Sequence, residues 1–214
     1  MSLFALNNEL IFPPVHLSEP DGLLAFGGDL STERLLLAYR NGIFPWYEGE
    51  HILWWSPDPR FVLFPEELKV SKSMQQLFKR NAFEFTINKA FTEVINNCKT
   101  ISRRGQESTW ITEEIKNAYT NLHKLGYAHS AEAWLNGELV GGLYGIRSGK
   151  VFFGESMFSK VPNASKFAFI NYVHSLLLEG VKIIDCQVYT EHLKSLGARM
   201  IGREKFIGLL KEYI

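Results

Sequence analysis

The sequence predicts an α+β fold in two parts, a small N-terminal domain over residues 1–60 and a larger domain over residues 61–214. Three observations predict it. Residues 11–60 are dense in Pro, Gly and aromatic side chains: Phe12-Pro13-Pro14, Pro20-Asp21-Gly22, Gly27-Gly28-Asp29, Phe44-Pro45-Trp46 and Trp54-Trp55-Ser56-Pro57-Asp58-Pro59-Arg60. That is the chemistry of loops and turns. From Phe61 the pattern changes to alternating strands and helices. Within this second part, Asn136-Gly137 and Ser148-Gly149 separate three strand-like runs, which is the signal of consecutive hairpins.

The elements follow in order. One helix interrupts the loop-rich region at Glu33–Tyr39, with Asp29 or Ser31 available to cap it and Asn41-Gly42 to end it. Ser71 caps a helix over Lys72–Arg80. Phe83–Ile87 alternates like a strand, and Phe91–Cys98 reads as a helix. Thr112 is the N-cap of a helix over Glu113–Leu125, whose first turn carries Glu113 and Glu114 where the helix dipole favours negative charge. Ile115 occupies the position where a capping box has Glu or Gln, so the box is incomplete. Ala128–Leu135, Glu138–Arg147 and Lys150–Phe158 are the hairpin strands; a helix over Ser165–Glu179 and a strand over Val181–Val188 follow.

The bulk numbers exclude several classes. A chain of 214 residues that is 46% hydrophobic can bury a sizeable core. Lys+Arg and Asp+Glu are both 23, which argues against a polybasic nucleic-acid binder and leaves room for a local basic patch. Cys98 and Cys186 have neither disulfide nor metal spacing, and the six His show no HxxxH pattern. No metal and no cofactor is expected. Met1-Ser2-Leu3-Phe4 lacks the basic and apolar regions of a signal peptide, and no apolar run is long enough to span a bilayer. The chain reads as cytoplasmic, with no membrane partner.

The segment Lys182-Ile183-Ile184-Asp185-Cys186-Gln187-Val188 is the most informative. In an extended strand, Asp185 and Gln187 point to the same face, while Cys186 points away into packing. Buried polar groups cost free energy unless hydrogen-bonded. The pair can bond to each other and merely satisfy the core, or it can also bond a substrate. A Cys186–His192 nucleophile is disfavoured by the direction of Cys186. No Walker-type or GxGxxG loop is present. The order of strand, hairpin, strand, helix and strand resembles the GNAT acetyltransferase layout. The turn Ser159–Lys166 has no glycine, which disfavours acetyl-CoA.

Several longer motifs carry a more specific resemblance. They are Phe44-Pro45-Trp46, Trp54–Arg60, Thr109-Trp110-Ile111-Thr112, Gly141-Gly142-Leu143-Tyr144-Gly145, Gly154-Glu155-Ser156-Met157-Phe158-Ser159, Asn163-Ala164-Ser165-Lys166 and Asp185-Cys186-Gln187-Val188. From about Phe12 to Gly197 the chain resembles the bacterial leucyl/phenylalanyl-tRNA–protein transferases. The resemblance implies a GNAT-like larger domain and a small N-terminal domain that contributes to the site for the 3′ end of aminoacyl-tRNA. It implies leucyl-tRNA, phenylalanyl-tRNA and, less well, methionyl-tRNA as donors. The acceptors it implies are proteins with N-terminal Arg or Lys, which are thereby marked for degradation.

The same resemblance assigns residues. Asp185, Gln187 and Glu155 are the catalytic group, with Asp185 fixing the orientation of the Gln187 amide. Glu155, between Gly154 and Ser156 at a strand end, is a polar contact. Trp46, Trp110, Leu143, Gly154, Ser156, Tyr172, Leu176 and Ile184 form the aminoacyl-adenosine site. Phe169, Tyr172 and Leu176 also have the spacing of an ordinary core stripe, and either tryptophan could instead plug a domain interface. Lys72, Lys79 and Arg80, extended by Lys69 and Arg103-Arg104, read either as a solvated face or as phosphate contacts to the tRNA backbone.

Overall fold

The structure, a computed structural model, describes residues 3–101 and 110–214. The loop-rich N-terminal region is more regular than the sequence predicts. It contains strands β1 (Phe4–Leu6), β2 (Leu23–Gly27), β3 (Phe44–Pro45) and β4 (Leu53–Trp55), paired in the order β1-β2-β4-β3. The β1–β2 pair is parallel and the others antiparallel. Helix α1 (Thr32–Arg40) lies where expected; Ser31 caps it by accepting from Arg34 N–H, and Asp29 instead accepts from Ser31 N–H.

Seven strands form the second sheet. They are β5 (Arg60–Leu63), β6 (Glu84–Ile87), β7 (Ala128–Leu135), β8 (Glu138–Ser148), β9 (Val151–Ser159), β10 (Ile183–Gln187) and β11 (Arg199–Ile201), in the order β11-β5-β10-β9-β8-β7-β6. Pairing is antiparallel except for β9 with β10, which run parallel through the crossover helix α5 (Ala164–Leu178). The expected hairpins at Asn136-Gly137 and Ser148-Gly149 join β7 to β8 and β8 to β9. Ser71 and Thr112 cap α2 (Lys72–Lys79) and α4 (Glu113–Lys124), as the sequence predicts. The remaining helices are α3 (Phe91–Thr100), α6 (Glu191–Ser195) and α7 (Arg203–Tyr213).

The sheet separates two apolar clusters, and the period-2 alternation of its strands sorts residues between them. Val62, Phe153 and Ile183 face α3, α4, α7 and the N-terminal sheet. Phe61, Leu63, Phe152 and Ile184 face α2 and α5. The first cluster also takes in Trp54, Leu35 and Tyr39, so the N-terminal sheet and helix share a core with the larger sheet. Helix α5 approaches β8 so closely that a Cβ at Gly141 would lie 2.6 Å from Ala164 Cβ, a contact only glycine allows. Among the described residues no helix is long and apolar enough to cross a membrane.

Candidate active site

The parallel pairing of β10 with β9 covers only Ile183–Asp185 against Val151–Phe153. Beyond it lies a cavity of about 440 Å³, with Gly154–Met157 on one side and Cys186, Gln187 and Val188 on the other. Leu143, Phe169 and Ile184 supply an apolar wall, and Phe44, Trp46 and Trp110 another. Trp110 is buried and Trp46 is partly exposed. The parallel pair ends where the binding space begins, so both strands can offer side chains to one occupant.

Two carboxylates stand at the polar end, Asp185 buried and Glu155 half-buried. Asp185 meets Arg60, whose Nε and Nη2 donate to its two oxygens at 2.8 and 2.7 Å. The backbone N–H of Gln187 also donates to Asp185 Oδ1, at 2.9 Å. Among the described residues no cation pairs with Glu155. Its oxygens accept from Tyr39 Oη at 2.7 Å, Tyr119 Oη at 3.2 Å and Gln187 Nε2 at 3.1 Å. Burial pushes the Glu155 carboxyl up to about 7, opposed by those hydrogen bonds and reinforced by the Asp185 charge. Burial beside Glu155 also raises both tyrosines well above their ordinary range, so they stay protonated donors.

These contacts correct three expectations. Asp185 does not orient the Gln187 side chain; it holds the Gln187 backbone, and Glu155 holds the amide. The reason is a break in the strand: register shifts between Asp185 and Gln187, and Gln187 has φ +63°. Glu155 lies in the middle of β9 rather than at a strand end. Tyr172 and Leu176 do not line the cavity. They are buried further along α5, where Tyr172 packs edge-on against Phe152, and only Phe169 of that stripe reaches the cavity.

The other expected residues fall as follows. Trp46, Trp110, Leu143, Gly154, Ser156 and Ile184 line the cavity with Glu155, Asp185 and Gln187. Lys72 and Lys79 on α2 and Arg80 at its C-cap are exposed, and none of them pairs with a carboxylate among the described residues. Arg103, Arg104 and Thr109 lie outside the described residues. Cys186 packs in the α5-side cluster yet also borders the cavity. Burial raises its thiol, and its hydrogen bond goes to the Ile184 carbonyl rather than to His192. The sequence alone assigns no role to Arg60, Tyr39 or Tyr119. The available cue for Arg60 was a charged residue opening the apolar run Arg60–Leu63, all of which is buried.

The cavity can bind an apolar group and hold a polar one beside Gln187, and Cys186 is no activated nucleophile within it. That is the equipment of a transferase that binds and orients its reactants. Comparison with known proteins gives the class. Residues 62–211 match the model for leucyl/phenylalanyl-tRNA protein transferase, and residues 28–58 match that for its N-terminal domain. A leucyl/phenylalanyl-tRNA–protein transferase of Syntrophobacter fumaroxidans is 57% identical over 100% of this chain and 92% of its own. One of Flavobacterium johnsoniae is 56% identical, covering 98% and 99%. The chain belongs to the leucyl/phenylalanyl-tRNA protein transferase family, a family of aminoacyltransferases.

Proposed function

We propose that the protein transfers leucine, phenylalanine and, less well, methionine from their tRNAs to the α-amine of proteins that begin with Arg or Lys. The product is then marked for degradation in the bacterial cytoplasm. The observation that carries this reading is the cavity between the diverging strands, apolar along Leu143, Phe169 and Ile184 and polar at Gln187 and Glu155. An unbranched or γ-branched side chain suits the apolar wall, and the ester suits the polar end. The hairpins followed by a helix and a parallel strand support an acetyltransferase-like reading of residues 61–214, with residues 1–60 contributing Phe44 and Trp46.

The chemistry needs little activation. The aminoacyl ester is already reactive, so neither ATP nor a metal is required. An α-amine has a reference pKa of about 7.7–8.0, so roughly a tenth of it is neutral at pH 7. Its nitrogen attacks the ester carbon, the bond to the ribose oxygen breaks, and the amine proton leaves with that oxygen or to solvent. Gln187 is too weak a base to keep the proton, but its amide oxygen can accept a hydrogen bond from the amine. Because Nε2 donates to Glu155, that oxygen points away from Glu155. Positioning of this kind can supply about 7–11 kcal/mol.

Trp46 and Trp110 serve the terminal adenine, where stacking contributes about 1–3 kcal/mol. Lys72, Lys79 and Arg80 contact phosphates; replacing all three with Ala should flatten the dependence of log K on log salt by about 2–3, which a filter-binding titration reads. The reading itself is tested by offering leucyl-, phenylalanyl-, methionyl- and valyl-tRNA with a peptide that begins with Arg, and detecting the product by mass spectrometry. Transfer of Leu and Phe is expected, with valine transferred about tenfold less or worse because shape rejects β-branching. No transfer from any donor by folded protein overturns the reading, and turnover of acetyl-CoA would replace it with an N-acetyltransferase.

A further inference from the structure

Gln187 does not have a strand conformation. Its φ is +63°, and across it the Val188 N–H donates to the Cys186 carbonyl at 2.8 Å. A hydrogen bond from i+2 back to i around a positive φ has the form of a γ-turn, which is strained for a residue with a side chain. Such a residue persists only when its surroundings hold it. The side-chain end is held by Glu155 and the backbone end by Asp185 Oδ1. Whatever fixes the Asp185 carboxylate therefore fixes the turn.

That group is Arg60. It is fully buried and grips both oxygens of Asp185 in a planar fork. Its Nη1 donates to the Gly42 carbonyl at 3.1 Å, and its guanidinium lies 4.7 Å from the Phe44 ring centre and 4.8 Å from that of Phe206. Arg60 is thus pinned by the segment that leads into the cavity wall and by helix α7. A fork of this kind fixes the rotation of a carboxylate as well as neutralising it; an ammonium group supplies the charge without the rotation.

We propose that Arg60 is a positioning residue for aminoacyl transfer: it acts on Gln187 through Asp185, and holds in place the turn that presents the Gln187 amide to the reacting amine. The proposal rests on the function argued above. It makes Arg60 part of the reaction machinery although Arg60 touches no substrate.

The test compares wild type, Arg60→Lys, Asp185→Asn and the double variant, each shown to be folded by its circular-dichroism melt. The readout is steady-state transfer of leucine from leucyl-tRNA to a peptide beginning with Arg. Wild-type transfer checks the underlying reading separately from the clamp. For Arg60→Lys, kcat should fall on the order of 100-fold, the effect of a misplacement of about 1 Å, while KM for leucyl-tRNA stays within about twofold. In the Asp185→Asn background the same substitution should change kcat little, because the two residues act as one unit. An undiminished kcat in folded Arg60→Lys overturns the proposal. So does a loss that multiplies in full with that of Asp185→Asn, or an Asp185→Asn variant as active as wild type. If Arg60→Lys does not fold, the neutral pair Arg60→Gln/Asp185→Asn against Asp185→Asn alone decides: equal kcat supports the clamp and a further loss overturns it.

Discussion

The two carboxylates of the site, buried Asp185 and half-buried Glu155, stand on neighbouring strands and are treated in opposite ways. Asp185 at the β5–β10 corner is given a cation, Arg60, and a backbone N–H. Glu155, at the corner of β9, α1 and α4, is given three neutral donors from Tyr39, Tyr119 and Gln187. A full opposite charge offsets the cost of burying an anion; neutral donors offset it only in part. The Glu155 carboxyl is accordingly raised to about 7, where it exchanges its proton near neutral pH. Gln187 joins the two corners, its backbone tied to one and its amide to the other. One end of the site is thus an electrostatically fixed clamp and the other a contact whose charge follows pH.

The comparison can be broken most severely at Arg60. Arg60→Met leaves Asp185 buried without its cation, and should cost about 3–5 kcal/mol in urea denaturation. A cost below about 1 kcal/mol, the scale of an exposed pair, would mean that the clamp carries little.

The Glu155 end is tested by pH. With its folded pKa raised above the ordinary 4.5, the native state holds a proton that the unfolded chain releases between about 4.5 and 7. Stability therefore falls as pH rises through that window, by about 3 kcal/mol in all. Glu155→Gln removes this dependence, so its stability relative to wild type should increase from pH 5 to pH 8. Thermal melts at both values check it; parallel pH curves for the two proteins would contradict it.

A smaller effect is expected at Tyr39. Tyr39→Phe removes one donor from Glu155 and the hydrogen bond between the Tyr39 and Tyr119 hydroxyls, costing about 1–3 kcal/mol. It should also move the Glu155 titration further upward, visible as a shift of the same stability-against-pH curve.

Sequence reading succeeds here where the cause is local. Ser71 and Thr112 cap helices a few residues away, and Asn136-Gly137 closes a hairpin between its own flanks. It fails where the partner is distant. Leu23–Gly27 and Leu53–Trp55 are short strands embedded in Gly, Pro and Trp, and they become strands by pairing with each other. Arg199–Ile201 is a strand through its pairing with β5 across the chain, and its three residues carry no strand signal of their own. The site divides in the same way. Asp185 and Gln187 stand out as polar residues in an apolar run. Arg60 is separated from Asp185 by 125 positions and Tyr39 from Glu155 by 116, so no spacing announces either pairing. The strand rule that places Asp185 and Gln187 on one face also misses the turn at Gln187: the other positive-φ residues apart from glycine are all Asn, which marks such turns, whereas a glutamine there carries no such mark.

The most direct test of the site is transfer of labelled leucine from leucyl-tRNA to a protein beginning with Arg, by wild type and Gln187→Ala side by side. The account expects transfer by wild type and a loss in kcat on the order of 100-fold in the variant, at unchanged affinity for the charged tRNA. Equal rates for the two proteins would contradict the role given to Gln187 and, with it, the clamp that holds Gln187 in place.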